Sequence, residues 1–278
     1  MRLRCEQLES RDTPANLYVN LDPAMSFAGL PADLIPGFNG PVQVEQGDVT
    51  GDGIDDKIAV AQTGGSAHVV AYDGKTGAEL GSFIAFDPSF RGGGHAFIAD
   101  EPQFPATLLV VPGPGGGPIV EEYRFEYGGF QVVNNELLPF PAEFRGGLQV
   151  SAGPVHAIGD PPDAFFLPAA GGGPEFVAMN LETGAVDATF FVGDPTDMTG
   201  DVEFEPTGGT ITIPSGVSVD GLVQFDPPHR LGVVVQDGPV VNGHVDTRVY
   251  DVLSGENVTA DFPLDGPPEP PPASEPLV

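Results

Sequence analysis

The sequence predicts an all-β fold, a β-propeller of about four four-stranded blades, with five as the alternative count. The first observation is a repeated connector: residues 86–93 (FDPSFRGG) recur 54 residues later as residues 140–147 (FPAEFRGG), with looser copies at 35–40 and 191–200. The second is that an alternating segment and then a short apolar run bounded by Gly and Pro follow each copy. Such runs are typical of buried central strands. Four strands in a period of about fifty residues are the pattern of a propeller blade.

The strands follow the repeat in order. Alternating segments at 42–45, 95–98, 148–151 and 202–205 predict the first strand of each blade. Apolar runs at 58–61, 108–111, 165–167 and 231–235 predict the second strands. Third strands are predicted to end near Tyr72, Phe125, Leu181 and Tyr250, and hairpins at 76–77, 128–129, 183–184 and 254–255 open the fourth. The last period carries surplus chain at 207–228, whose alternation at 210–213 predicts an added hairpin.

Three segments are expected along the chain: a leader-like segment at 1–15, the propeller at 16–264 and a Pro-rich disordered tail at 265–278. A short strand near residues 16–20 is predicted to pair with the last blade and close the ring, because an open ring leaves strand edges unpaired. Phe90 and Phe144 are predicted to fill equivalent positions between blades. Pairing between chains is the alternative to closure and would give an oligomer.

The net charge of the chain limits the classes of partner that it can bind. The chain has 40 Asp plus Glu against 10 Lys plus Arg, a formal net charge of −30. This charge repels phosphate backbones and anionic lipid surfaces, so we expect no nucleic-acid partner and no membrane insertion. Divalent cations and basic or neutral partners fit it. The single cysteine excludes an intramolecular disulfide and a thiolate metal cluster.

The clearest candidate site is the loop at residues 47–56 (GDVTGDGIDD), just before the first apolar run. Asp48, Thr50 and Asp52 place oxygen-bearing side chains at alternate positions, and Asp56 closes the loop, an arrangement that suits a hard cation such as Ca²⁺. An EF-hand needs an acid at the twelfth loop position, which is alanine here, so a strand–loop–strand version remains. The alternative is a solvated Asp/Gly turn whose acids accept only backbone N–H groups.

The loop and the repeats together resemble FG-GAP repeats of the integrin-α-type β-propeller. Those blades carry a D-x-[DN]-x-D-G-x-x-D calcium loop between their first and second strands. Asp48, Asp52, Gly53 and Asp56 match it, while Thr50 replaces the usual Asn or Asp. The resemblance implies Ca²⁺ held by these oxygens with the main-chain carbonyl of Ile54. The copies at 100–105 and 154–163 have lost the motif, so one calcium site and three vestigial ones are expected.

The first fifteen residues resemble the short R-x-E-x-L-E-x-R-x-x-P-A leader of surface and secreted proteins of planctomycete-type bacteria. The matching residues are Arg4, Glu6, Leu8, Glu9, Arg11, Pro14 and Ala15. The resemblance implies a location in the cell envelope or outside the cell.

These observations favour a non-enzymatic, calcium-binding surface or secreted module for adhesion, with a protein or glycan ligand at the blade loops. No HExxH, G-x-S-x-G or phosphate-binding motif is present, so no catalytic residue is assigned. Two alternatives remain open. One is a propeller-fold hydrolase or lyase that uses acidic loop residues, and the other is a structural domain of the envelope. The acids considered for the enzyme are Glu121, Glu122, Glu143, Asp160 and Asp163.

Overall fold

A computed structural model describes residues 18–19, 30–31, 33–100, 104–153, 162–192, 195–196, 202–204, 218–219, 222–225, 230–241 and 244–257. These residues form β-strands, turns and loops without a helix, and so none of them belongs to a helix able to cross a bilayer. The strands lie in four sheets, and the fold is an all-β, propeller-like arrangement, as the sequence predicts. The predicted leader at 1–15 and tail at 265–278 lie outside the described residues.

The first two sheets follow the predicted order. The first consists of β1 (Tyr18–Val19), β2 (Val42–Gly47), β3 (Asp56–Ala61), β4 (His68–Tyr72) and β5 (Glu79–Ile84). The second consists of β6 (Gly94–Ala99), β7 (Thr107–Pro112), β8 (Val120–Glu126) and β9 (Gly129–Leu137). Apart from β1, which runs parallel to β2, neighbouring strands are antiparallel.

The third sheet repeats the pattern with β10 (Leu148–Gly153), β11 (Asp163–Pro168), β12 (Glu175–Asn180) and β13 (Val186–Phe191). The fourth has β14 (Val202–Phe204), β15 (Ser218–Val219), β16 (Leu222–Phe225), β17 (Arg230–Val241) and β18 (His244–Asp251). In it, β17 pairs with β14 and β16 and with β18. Within the surplus chain at 207–228, the described strands β15 and β16 pair as a hairpin. Residues 210–213, whose alternation predicts the added hairpin, lie outside the described residues.

The sheets pack face to face, which explains the continuous apolar runs. In β7, Leu108 and Val110 pack with Ile58 and other residues of the first sheet. Leu109 and Val111 point the other way and pack with Phe166 of the third sheet. A strand that is buried on both faces has no polar face, so its sequence does not alternate. In β11, likewise, Phe165 and Leu167 belong to a cluster that includes Tyr250 at the end of β18.

The first strands of successive sheets lie side by side, and a buried side chain joins two of them. Contacts run from β2 to β6, from β6 to β10 and from β10 to β14. Gln43 of β2 is only 4% exposed. Its amide nitrogen donates to the Ala96 carbonyl oxygen at 2.9 Å, and its amide oxygen accepts the Ala96 N–H at 2.9 Å. The backbone N–H and carbonyl of Ala96, on the inner edge of β6, are therefore satisfied by a side chain of the neighbouring sheet.

The repeated connectors adopt the same conformation. Phe90 and Phe144 are both half-buried, each donating its N–H three residues back, to Asp87 and Pro141. Each ring also lies where the glycine two residues after it would place a Cβ atom, and Phe38 covers Gly40 in the same way. Phe90 and Phe144 thus occupy equivalent places in their connectors, and the ring of Phe144 packs against the cluster between the second and third sheets. That both rings fill space between blades stays a prediction.

A chain of backbone hydrogen bonds, which we call the relay, runs along the connectors. Gly93 donates its N–H to Gly65 at 3.0 Å, and the carbonyl of Gly93 accepts the N–H of Gly113 at 3.0 Å. The next connector repeats both bonds, and the links together join three sheets. In chain order the N–H donors are Gln62, Gly65, Gly93, Gly113, Gly116, Gly147 and Ala169, each bonded to the carbonyl of the donor before it and the first to Pro41.

One topological prediction is wrong. The N-terminal strand does not pair with the last sheet: β1 lies beside the first strand of the first sheet, with Tyr18 opposite Val42 and Val19 opposite Gln43. The inner edge of β2 offers backbone N–H and carbonyl groups that accept a strand as readily as an outer edge does. Pairing between chains, the alternative to this closure, stays a prediction.

Candidate functional site

The predicted metal loop connects β2 to β3, and its first acid organises the turn. Gly51 and Gly53 have φ of 75° and 84°, the left-handed region that glycine enters without strain. The chain consequently folds back over Asp48. The carboxylate of Asp48 accepts the N–H groups of Gly51 at 2.7 Å, Asp52 at 3.0 Å and Gly53 at 2.7 Å. Asp48 thus holds the backbone of the whole turn.

Asp56 fastens the loop from its other end. It is the first residue of β3 and only 1% exposed. Its carboxylate accepts the N–H of Thr50 at 3.0 Å and the N–H of Gly74, in the β4–β5 hairpin, at 2.9 Å. Burial raises the pKa of Asp56, and the charge of Asp48 raises it further, against the lowering effect of the two backbone hydrogen bonds. The folded protein therefore holds a carboxylate there at an electrostatic cost.

The other predicted ligands are placed less centrally. The hydroxyl of Thr50 donates to Asp48 at 3.4 Å, and its N–H donates to Asp56. Thr50 thus links the first and last acids of the loop. The carboxylate of Asp52 accepts the N–H of Ile54 at 3.0 Å. Asp55, expected to lie outside the site, accepts the side-chain amide of Gln46 at 2.9 Å. Across the ranges that the structure describes, no three His, Cys, Asp or Glu side chains converge as a metal-binding group.

The oxygen atoms of the loop are of the kinds that bind calcium, but in this structure the carboxylates among them accept hydrogen bonds that stabilise the turn. Carboxylate, hydroxyl and carbonyl oxygens are the ligands that Ca²⁺ takes. A carboxylate offers about four lone-pair positions, and three backbone N–H groups already occupy the carboxylate of Asp48. The structure thus brings Asp48, Thr50 and Asp56 together but leaves Asp52 bonded to its own turn. Both interpretations of the loop, calcium site and Asp/Gly turn, use the same residues.

The other sheets retain parts of this arrangement. Asp100 follows β6 as Asp48 follows β2, and it accepts the N–H of Asp48 at 2.9 Å. Asp163 begins β11 as Asp56 begins β3, and it accepts the side-chain amide of Asn180 at 3.1 Å. A buried acid at the start of a second strand therefore has a structural use even without a metal. Residues 101–103 and 154–161, which hold the rest of these copies, lie outside the described part.

Three sheets share a hairpin whose Thr-Gly or Ser-Gly pair predicts its position in the sequence. In the first sheet, the carboxylate of Asp73 accepts two hydrogen bonds from Thr76, one from its N–H at 2.7 Å and one from its hydroxyl at 2.6 Å. Asn180 with Thr183 and Asp251 with Ser254 repeat the bond to the backbone N–H. The missed signal is an Asp or Asn three residues before the Thr or Ser.

The second sheet departs from this pattern. Its β8–β9 hairpin turns on two residues, Tyr127 at φ 55° and Gly128 at φ 79°. The side chain of Tyr127 is 98% exposed. Glu126, directly before it, lines a cleft of about 400 Å³ together with Asp48, Asp100 and Arg124. The hairpin that differs from the others is thus the one beside the candidate metal loop.

The acids considered for catalysis have separate partners. Glu121 accepts a hydrogen bond from the Tyr123 hydroxyl, and Glu122 accepts one from Asn134 at 3.3 Å. Burial raises the pKa of Glu122. Asp163 is buried beside Asn180, Glu143 is exposed, and Asp160 lies outside the described residues. Burial lowers the pKa of His95, in β6, to about 4. Glu121, Glu122 and Asp163 therefore each bond to a residue of their own sheet.

No protein-family model matches the sequence, and no curated protein matches it significantly.

Proposed function

We propose that this chain is a non-enzymatic, calcium-binding β-propeller module related to FG-GAP proteins, which acts at the cell surface or outside the cell by binding a protein or glycan. Calcium is bound by Asp48, Thr50, Asp52, Asp56 and the carbonyl of Ile54, and its role is to fix the loops around the ligand.

The proximity of Asp48 and Asp56 carries the proposal. Both carboxylates bond to Thr50, and the charge of Asp48 adds to the burial that raises the pKa of Asp56. Two negative groups held together in a partly desolvated loop repel each other, and a divalent cation with oxygen ligands relieves that repulsion. Asp52 needs only to exchange its bond with Ile54 for a bond to the ion.

The location belongs to the same proposal. It is supported by the leader resemblance and by the net charge of −30, which keeps a protein soluble and accommodates divalent cations. Fractionation of the native host, with the intact chain detected by antibody, tests it. Recovery from the envelope or medium is expected, and recovery from the cytoplasm alone would contradict it.

Isothermal titration with calcium tests the metal site. The wild-type chain should bind one ion saturably, Asp52→Asn should bind more weakly because it removes one charge, and Asp48→Ala should not bind. Binding to the folded state alone stabilises a protein by RT ln(1 + [L]/Kd), about 2.7 kcal/mol when free calcium is a hundred times Kd. The melting temperature should therefore rise with calcium.

Asp55→Ala is the matched control, because Asp55 neighbours the loop but bonds to Gln46. It should bind calcium as the wild type does. Absence of saturable binding to the wild type would leave the loop as an Asp/Gly turn of a structural domain. Equal weakening by Asp55→Ala and Asp52→Asn would show that calcium responds to the general charge of this end of the protein.

A further inference from the structure

The β8–β9 hairpin carries a feature without a structural explanation. Tyr127 has φ 55°, and a left-handed conformation is unfavourable for a bulky residue. Two-residue turns with positive φ at both positions favour Asn-Gly or Asp-Gly. At 98% exposure, the side chain of Tyr127 also gains little from packing. Strained residues of this kind concentrate at functional sites.

The surroundings of the hairpin indicate which ligands the ring would meet. The adjacent cleft contains three carboxylates, those of Asp48, Asp100 and Glu126, and one guanidinium, that of Arg124. The Nε of Arg124 is hydrogen-bonded to Thr107 at 3.4 Å. The cleft therefore has a negative balance on a chain whose net charge is −30. Such a surface attracts cationic groups and raises their association rate.

We propose that Tyr127 and the adjoining cleft form a docking surface for a basic segment of a partner protein, whose Lys or Arg side chain stacks on the Tyr127 ring and pairs with Glu126. This names the partner class of the proposed surface module and so rests on the proposed function. An ammonium or guanidinium over a tyrosine face is attracted by the ring's quadrupole. Charge complementarity favours this occupant over an anionic or neutral one.

The experiment uses the full chain and a fluorescent lysine decapeptide, with binding measured with and without calcium. Tyr127→Asn removes the ring without changing the charge, and Tyr127→Phe keeps a ring. We expect the asparagine variant to bind the peptide about two- to fivefold more weakly, the loss of an exposed cation–π contact, and the phenylalanine variant to bind nearly as the wild type does. We also expect Tyr127→Asn to melt higher, because asparagine suits the left-handed position.

The two readouts together separate a binding role from a structural one. Unchanged peptide affinity in Tyr127→Asn, or a lower melting temperature in that variant, would overturn the proposal. Glu126→Gln and Glu136→Gln form a matched pair, since each removes one charge from a strand of this hairpin but only Glu126 lines the cleft. Equal weakening by both would show non-specific attraction and reject the site.

A neutral oligosaccharide is the competing occupant. Maltoheptaose that binds with dependence on Tyr127, while the lysine peptide does not bind, would replace the basic partner by a glycan and overturn this inference. Calcium titration of Tyr127→Asn should match that of the wild type. If the wild-type chain binds calcium but not the peptide, that result would count against this surface alone, and peptide binding without calcium binding would count against the metal site alone.

Discussion

Replacing Gly93 with alanine tests whether the relay stabilises the fold. Gly93 has φ 70°, and a Cβ atom there would lie closer than 3.0 Å to the backbone of Gln62, a separation that real Cβ atoms do not show. Because the obstacle is backbone and not a flexible side chain, the connector itself must move. That movement breaks or weakens the two bonds of Gly93, to Gly65 and from Gly113, both 3.0 Å long.

The size of the effect follows from a matched control. Gly171 has φ 64° and open space around its would-be Cβ, so Gly171→Ala should cost only the left-handed conformation, about 1–2 kcal/mol. Gly93→Ala pays a similar amount and also loses two hydrogen bonds at about 0.5–1.5 kcal/mol each. We therefore expect its free energy of unfolding to fall about 1–3 kcal/mol further than that of Gly171→Ala.

Urea denaturation of both variants provides the measurement, with equal m-values required for a valid comparison. Thermal melts should agree, since about 2–4 °C of melting temperature corresponds to each kcal/mol in chains of roughly this size. Equal destabilisation by the two substitutions would show that the connector shifts without cost, and the relay would then contribute nothing measurable.

Two further predictions concern Asp56 and Gln43. Burial raises the pKa of Asp56, so without calcium the folded state holds a proton that the unfolded state releases. Stability should therefore fall as pH rises from the ordinary carboxyl range, about pH 4, through the raised pKa. Asp56→Asn should flatten this slope in urea titrations, and an identical slope would contradict the prediction. Gln43→Ala leaves the N–H and carbonyl of Ala96 unpaired and should cost about 2–4 kcal/mol. Gln149 is half-buried and bonded to Pro168 at 3.4 Å, so Gln149→Ala should lower the free energy of unfolding less than Gln43→Ala does. Equal losses of stability in the two variants would argue against the role of Gln43 in joining two sheets.

The parts of the fold that local pattern controls could be predicted from the sequence. The apolar run at 108–111 falls within β7 because burial on both faces removes alternation, and the connectors at 86–93 and 140–147 repeat because each needs glycines that fit against backbone. Alternation at 210–213 predicts an added hairpin but these residues lie outside the described part, and the hairpin described in the surplus chain pairs 218–219 with 222–225. Alternation predicts a strand and leaves its partner open.

Contacts between distant residues could not be predicted in this way. Gln43 lies in an alternating strand where a polar residue is expected to face solvent, but its partner, Ala96, is 53 residues away. In the candidate site, the loop's shape and the roles of Asp48 and Asp55 agree with the predicted turn. The hydrogen bond from the Gly74 N–H to Asp56 spans 18 residues, and the spacing of residues within the loop does not predict it.

The relay has a consequence for the kinetics of local opening. Amides in turns and connectors ordinarily exchange their hydrogens with water quickly, because small local fluctuations expose them. The N–H groups of Gly93 and Gly147 lie in connectors, yet each bonds to a turn of the sheet before it. Their release requires neighbouring sheets to separate. Slow exchange in this protein should therefore extend from the central strands into these glycines, so that the most protected loop amides mark where one blade is joined to the next.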